Sequence, residues 1–460
     1  MLNRRTARRT TFTVCVITLL LAALTFGATS RATSRQSSSS SQQGVTKDTI
    51  KIGIPLVDFQ AIAPYVDYTF GDTEAISKVF VDDINKNGGI NGRKIVPVYK
   101  KYPPIPGQKP DPLTLCTSFA EDDKVFAVVG VFIDFTGQAQ ECVSKDHKIV
   151  HIGHELDQPF IDAVPGGLML TPDRTKENVA SSLIELMNSS GRFKGKTVAV
   201  VGQTDNQNRV NKVIVPALKK DKVKTGSTAI LNITGTDTSA AQAQVDSFVE
   251  KWKSEGVNMV FLSGNDVSAK QFAESIKKGL PKAQLVTDTD TTLDQAKGEQ
   301  DSGVNPNPYE GIITGTGITP SQRWATPNAT LKNCIDVYQK ATGTTVPGPD
   351  DRKKTSDGKA INTDQALTDA CGDLTMFKAI AEKVGPDLTT KNWQKTVNSF
   401  GTIDLPSDKY ASLCTAKYGA EDDFQLVAYD SSIGKSGDWK SLTPIKDVPT
   451  KVCPGVKASG

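Results

Sequence analysis

The chain of 460 residues lacks most of the patterns that carry catalysis. It has three histidines, His147, His151 and His154, and all fall in one short stretch. Their spacing invites a metal reading. The stretch runs from a helix end into a strand, however, which would separate the side chains, so surface or loop-lining roles are expected. No G-x-S-x-G elbow occurs, and no C-x-x-C or Cys/His spacing fits zinc. Ser190 to Thr197 comes near a phosphate loop, but Ser190 stands where the first glycine belongs. That segment also leads into a strand instead of following one, so it reads as a turn. After Phe26 no apolar run approaches a membrane-spanning length. Neither a nucleophile–base pair nor a metal-assisted site is visible, so no cofactor is expected and catalysis is disfavoured.

Charge of one sign is also missing. The chain has 54 basic and 51 acidic residues, and six of the basic ones are arginines within residues 1–35. The remaining body is near neutral and slightly acidic, which gives no electrostatic case for nucleic acid or an anionic membrane. Those arginines precede and flank the apolar run Val14–Phe26, with no acidic residue among them. This pattern fits a secretory signal peptide over residues 1–32. Arg8-Arg9 resembles a twin-arginine signal only loosely, because Phe12 falls one place late. Cys15 lies near the start of the apolar run and not behind it, which argues against a lipid anchor. Residues 33–46 read as a Ser/Gln-rich tether.

Export leaves an even set of cysteines: Cys116, Cys142, Cys334, Cys371, Cys414 and Cys453. Three disulfides are expected in an oxidising compartment. Sequence leaves the connectivity open. Neighbour pairing is the favoured expectation, since Cys116 and Cys142 would join helices flanking the strand Val125–Val131.

Strand-like apolar runs alternate with helical patterns along the body, which implies parallel sheets built from strand–helix–strand units. The expected fold is α/β, with two doubly wound parallel-sheet lobes. One lobe takes residues 47–170 plus 316–405. The other takes 171–315 plus 406–460, including a C-terminal tail. The polar, Pro/Gly-rich segment Thr344–Lys359 reads as a mobile surface loop.

The stretch Thr49–Tyr102 is the most distinctive. Ile50, Ile52, Ile54 and Leu56 form a buried strand, Ala75–Ile84 has helical spacing, and Asn87-Gly88-Gly89-Ile90-Asn91-Gly92 turns the chain into a second strand. This wording resembles the opening of the type I periplasmic solute-binding proteins, nearest the branched-chain-amino-acid-binding group. The resemblance implies a multi-strand hinge between the lobes and no enzymatic activity. It also implies an exported, monomeric receptor of an ABC-type uptake system. Such a receptor captures a small polar ligand, an amino acid or an amide- or amine-like compound, and presents it to a membrane permease.

Ligands of open α/β sheets sit beyond the carboxyl ends of the strands. On the resemblance, Phe70-Gly71 matches the aromatic that covers the ligand, with a helix-entry staple as the alternative. Asp134, Phe135 and Thr136 occupy the third-strand loop, where hydroxyls and amides usually receive a carboxylate; only Thr136 keeps that chemistry. His154 and Glu155 replace the small residues and Thr of the fourth-strand loop. Acidic groups there disfavour an anionic ligand unless they point outward. In the second lobe Asp205, Asn208 and Asp266 lie at strand ends. Asp288 or Asp290 stands where an acidic residue meets a ligand ammonium, or else caps the next turn. Two other functions stay open: a sensing module for a membrane signalling partner, and a secreted α/β hydrolase.

Overall fold

The computed structural model describes residues 42–456 apart from 65, 105–107, 135, 233–237 and 265, with the backbone alone at 238–241 and 266–271. The expected leader and most of the tether lie outside the described residues, as does Phe135.

The first sheet contains β1 (Thr49–Val57), β2 (Lys94–Tyr102), β3 (Ala127–Val129), β4 (Val150–Ile152) and β5 (Met169–Leu170). They run parallel in the order β2-β1-β3-β4-β5. Both faces are covered: Ile52, Ala127 and Val129 point into one core, and Val57 and Val128 into another. That two-sided burial explains why these strands read as apolar runs instead of alternating ones. Helix α1 (Thr73–Lys86) packs on one face and is capped by the Asp72 carboxylate, which accepts the Ala75 N–H at 2.9 Å. At its other end Gly89 takes φ 72° and donates its N–H to the Ile84 carbonyl at 2.8 Å. A Cβ on Gly89 would run into the Arg93 carbonyl, so the turn requires glycine on two counts.

The second sheet contains β6 (Thr197–Gln203), β7 (Lys224–Leu231), β8 (Met259–Leu262), β9 (Gln284–Thr287), β10 (Ile313–Thr316), β11 (Asp423–Asp430) and β12 (Asp438–Ser441). Their order is β12-β11-β10-β9-β8-β6-β7, with β11 antiparallel to both of its neighbours. It too is buried on both faces, Val201 and Leu262 on one side and Val200 and Phe261 on the other. Helix α2 (Lys176–Ser189) packs on the latter face.

The chain crosses between the sheets at adjacent segments. Thr171 N–H donates to the Tyr418 carbonyl, Ala420 N–H to Thr171 and Glu421 N–H to Pro172. The Gln425 amide reaches the Gly317 carbonyl of the remaining crossing at 2.7 Å. This is a multi-strand hinge. Ala411, Leu413 and Ala420 pack into the first sheet's core, although the sequence groups 406–460 with the second lobe.

The disulfides are Cys116–Cys142, Cys334–Cys371 and Cys414–Cys453, the neighbour pairing. Cys334–Cys371 ties the helix Ala329–Thr342 to the long helix α3 (Thr363–Val384). Among the described residues no helix is long and apolar enough to cross a membrane.

The segment 344–359 lies largely at the surface, as expected, and is anchored there by Arg352 and Lys359. Arg352 is buried and pairs with both carboxylate oxygens of Asp364 at 2.8 Å and with Asp294 at 2.6 Å. Lys359 donates to the carbonyls of Ala63 and Val66. Asp294 belongs to a helix, Thr292–Asp301, that no sequence signal announced, so this loop links the two lobes. Removing one partner of a buried ion pair leaves uncompensated charge. Arg352→Ala is expected to cost about 3 kcal/mol in urea unfolding and to open 344–359 to proteolysis.

Candidate functional site

Beyond the carboxyl ends of β1 and β3 lies a cavity enclosing about 550 Å³, open solvent at its mouth included. Ile54 to Val57 and Val129 to Val131 form its floor. Phe59 and Phe70 form a wall, with ring centroids 4.9 Å apart, and Tyr68 stacks behind Phe70 at 5.8 Å. Phe70 is therefore both cavity wall and the residue leading into the cap of α1. The opposite wall is α3, through Ala366, Asp369, Ala370, Asp373 and Leu374. Their spacing puts two carboxylates on the otherwise small and apolar stripe of one helix. Neither carboxylate is among the site residues expected from the strand ends. The available signal was a pair of acids in register with the helix's buried positions.

His154 stands at the edge of this wall. Its Nδ1 lies 2.9 Å from Asp173 Oδ2 and its Nε2 lies 3.1 Å from Asp373 Oδ1. Burial by itself would lower the imidazole pKa, but Asp173, Asp373 and Asp369 outweigh it and hold the value well above the ordinary one. The ring is thus a cation at neutral pH. Asp369 is pushed up to about 7, chiefly by burial, with Asp173 and Asp373 adding to it. Asp290 accepts a hydrogen bond from Thr316 Oγ1 at 2.7 Å and is pushed up to about 6, mainly by desolvation. Glu155 takes a left-handed backbone, φ 61°, and pairs with Lys176 at 2.9 Å. His154, Glu155 and Asp290 are brought together around Asp173, whose charge acts on His154 and Asp290.

Other expected site residues are engaged locally. Asp134 accepts from Thr136 N–H at 3.0 Å, Thr136 Oγ1 at 2.8 Å and Ala139 N–H at 2.7 Å, which holds the turn before the following helix and one of its first N–H groups. Asp288 is buried, and its Oδ2 accepts from Arg209 at 3.2 Å and Ser263 Oγ at 2.7 Å. Arg209 also pairs with both oxygens of Asp157 at 3.1 Å and with Glu177 at 3.4 Å, bridging the fourth-strand loop to the second lobe. Nothing in the sequence marked Arg209 beyond its place at a strand end. Asp205 and Asn208 are exposed beside it, and Asp205 accepts the Asn206 N–H. Asp266 opens the helix Asp266–Gly279, its side chain outside the described set.

The remaining histidines differ from one another. His151 is fully buried in β4 against Phe132, not surface or loop-lining, and burial pulls its pKa down to about 4. His147 lies near Cys116 and Cys142, whose sulfurs are bonded to each other and so cannot ligate a metal.

The chain belongs to the periplasmic binding protein family, whose model matches residues 49–430. No curated protein matches it in sequence. Several solved structures share its fold at low identity. A fatty acid ABC transporter substrate-binding protein from Thermomonospora curvata is 15% identical, with 88% of this chain and 94% of that one aligned, at a TM-score of 0.58. A leucine-, isoleucine-, valine-, threonine- and alanine-binding protein from Brucella ovis, in a closed conformation, is 14% identical over 86% and 95%, at 0.60. An ABC transporter solute-binding protein from Rhodopseudomonas palustris in complex with 3,4-dihydroxy benzoic acid is 14% identical over 87% and 99%, at 0.59.

A carboxyl group whose folded-state pKa is raised costs stability once the unfolded chain would ionise it. For Asp369 that cost starts near pH 4 and is complete above about pH 7. Asp369→Asn is therefore expected to gain on the order of 2 kcal/mol in urea unfolding at pH 8 and nothing at about pH 4.

Proposed function

We propose that the chain is an extracytoplasmic solute-binding receptor of an ABC-type uptake system. It works as an exported monomer that holds a small ligand between its lobes and hands it to a membrane permease. The observation that carries this is the site beyond the strand ends. An apolar cavity with an aromatic wall is bordered by charged groups that gather beside the hinge. Such a site offers burial for a ligand body and a few placed polar groups for its orientation. The groups around it are mainly acidic, which favours an amine- or amide-bearing ligand over a free carboxylate.

Closure would be a rotation about the hinge, stabilised by whatever contacts the ligand makes only in the closed form. The Arg352 contacts with Asp294 and Asp364, and those of Arg209, already join the lobes on opposite sides of this region. A melting-temperature screen with amino acids, amides, amines and aromatic acids, followed by small-angle scattering, tests the receptor. A solute that raises the melting temperature, compacts the protein and is recovered unchanged is the expected result. Chemical conversion of the solute would overturn the receptor in favour of an enzyme. Phe70→Ala is expected to weaken binding of that solute about tenfold while leaving the fold's melting temperature nearly unchanged.

A further inference from the structure

We infer that the cavity under Phe70 takes an organic ammonium ion on an apolar body, without a free carboxylate, with Asp373 and Asp369 as its counter-ions. This rests on the receptor proposed above and narrows its ligand.

Asp373 is 1% exposed, lines the cavity, and neither of its carboxylate oxygens accepts a hydrogen bond. Its near cation is His154, whose Nε2 lies 3.1 Å from Oδ1. Oδ2 has no donor at all. A desolvated carboxylate with an unmet oxygen is costly to keep, and a donor arriving from the cavity would meet it. Asp369, one turn earlier on α3, accepts from the Gln365 amide at 2.6 Å through Oδ1 alone.

The balance of charge points the same way. The groups that act on this wall are Asp369 and Asp373 from α3, Asp173 from the hinge, His154 from the fourth-strand loop and Arg323 from the helix Pro320–Ala325. With Asp369 ionised, three carboxylates face two cations, and one more positive charge neutralises the set. Beyond Asp173, Glu155 is paired with Lys176, and Asp290 adds a further carboxylate, so the excess of negative charge stays. Arg323 is not left over to receive an anion, since Asp173, Asp290 and Asp369 already act on it and it donates to Gln365. An entering carboxylate would meet net repulsion, whereas an ammonium would form charge-assisted hydrogen bonds. Ile54, Leu56, Val129 and the two phenylalanines offer the ligand body apolar contacts, with Thr73 and Ser77 as the polar lining besides the two acids. Burial also keeps Asp369 near the midpoint of its titration at neutral pH, so ammonium binding should tighten as pH rises.

The test is calorimetric titration of the purified protein with phenethylamine and isopentylamine, against phenylacetate, isovalerate and leucine. The amines are expected to bind at least about tenfold more tightly than either acid, and more tightly at about pH 8 than at about pH 6. Asp373→Asn and Asp369→Asn are each expected to lower amine affinity about tenfold or more with the fold intact by circular dichroism. Should Asp373→Asn fail to fold, Asp369→Asn and the pH series carry the test. Tighter binding of isovalerate or leucine would overturn this inference and leave the receptor standing. Amine affinity indifferent to both substitutions would overturn it as well. If none of these probes binds, the inference falls, while compaction by any other solute in the scattering screen would keep the receptor.

Discussion

One buried guanidinium fastens the crossing at 171–175 to the second sheet. Arg174 sits at the crossing, buried, and donates to the backbone carbonyls of Asp422, Asp423 and Val448 at 3.2, 3.3 and 2.8 Å. It lies over the Phe424 ring at 4.7 Å and reaches Ser182 Oγ on α2 at 2.9 Å. A planar fork of donors suits this task, because several crossing strands can be held by their carbonyls at once. Those carbonyls are fixed in the backbone and take the guanidinium's hydrogen bonds, while Glu421, Asp422, Asp423 and Asp408 act on it through their charge. Beside the same crossing Asp408 is raised by burial and by Asp423, Glu421 is raised by burial and by Asp408, and burial pushes Asp423 up to about 6. A hinge tied through those carboxylates would loosen and tighten with pH. One tied through carbonyls leaves the acids free to affect the ligand site.

The cavity and the hinge thereby divide the work. Shape comes from apolar strand ends and the aromatic wall, which cost little to bury. On the proposed reading, selectivity would come from carboxylates that are expensive to bury, carried on the long helix α3. His154 explains how the expense is contained. It offsets part of the negative charge of Asp173 and Asp373 without filling the cavity. A lysine or arginine in its place would carry its own long stem into the space a ligand needs. An imidazolium spans the two acids edge to edge and leaves Asp373 Oδ2 without a donor.

Much of the scaffold was legible in the sequence. The Asn87–Gly92 turn could be read because its glycines answer a local demand of the backbone, and the alternation of apolar runs and helical spacing gave both sheets. The helix Thr292–Asp301 was not legible: its sequence, TLDQAKGEQD, is polar around its circumference. Its buried Lys297 meets Asp350 and Asp438, partners that only the fold supplies. The same holds for Thr344–Lys359, whose composition says loop and whose anchoring depends on a single arginine meeting carboxylates from two distant helices.

The site was legible in outline and not in detail, for a related reason. Strand-end loops can be located from the strands, so Phe70, His154 and Asp290 could be placed beside the strand ends. Whether a polar residue in such a loop is spent locally depends on its neighbours in space. Asp134 is consumed by the cap it forms, and Asp288 by Arg209. Asp369 and Asp373 come from a helix that the strand-end rule does not search. Their position makes sense only once α3 is laid against the ends of β1 and β3. A helix that closes one side of a sheet can contribute to the site at its end only by carrying polar groups on its buried stripe. Such residues violate the amphipathic pattern, and that violation is the sequence signal for a wall of the site as opposed to a loop of it.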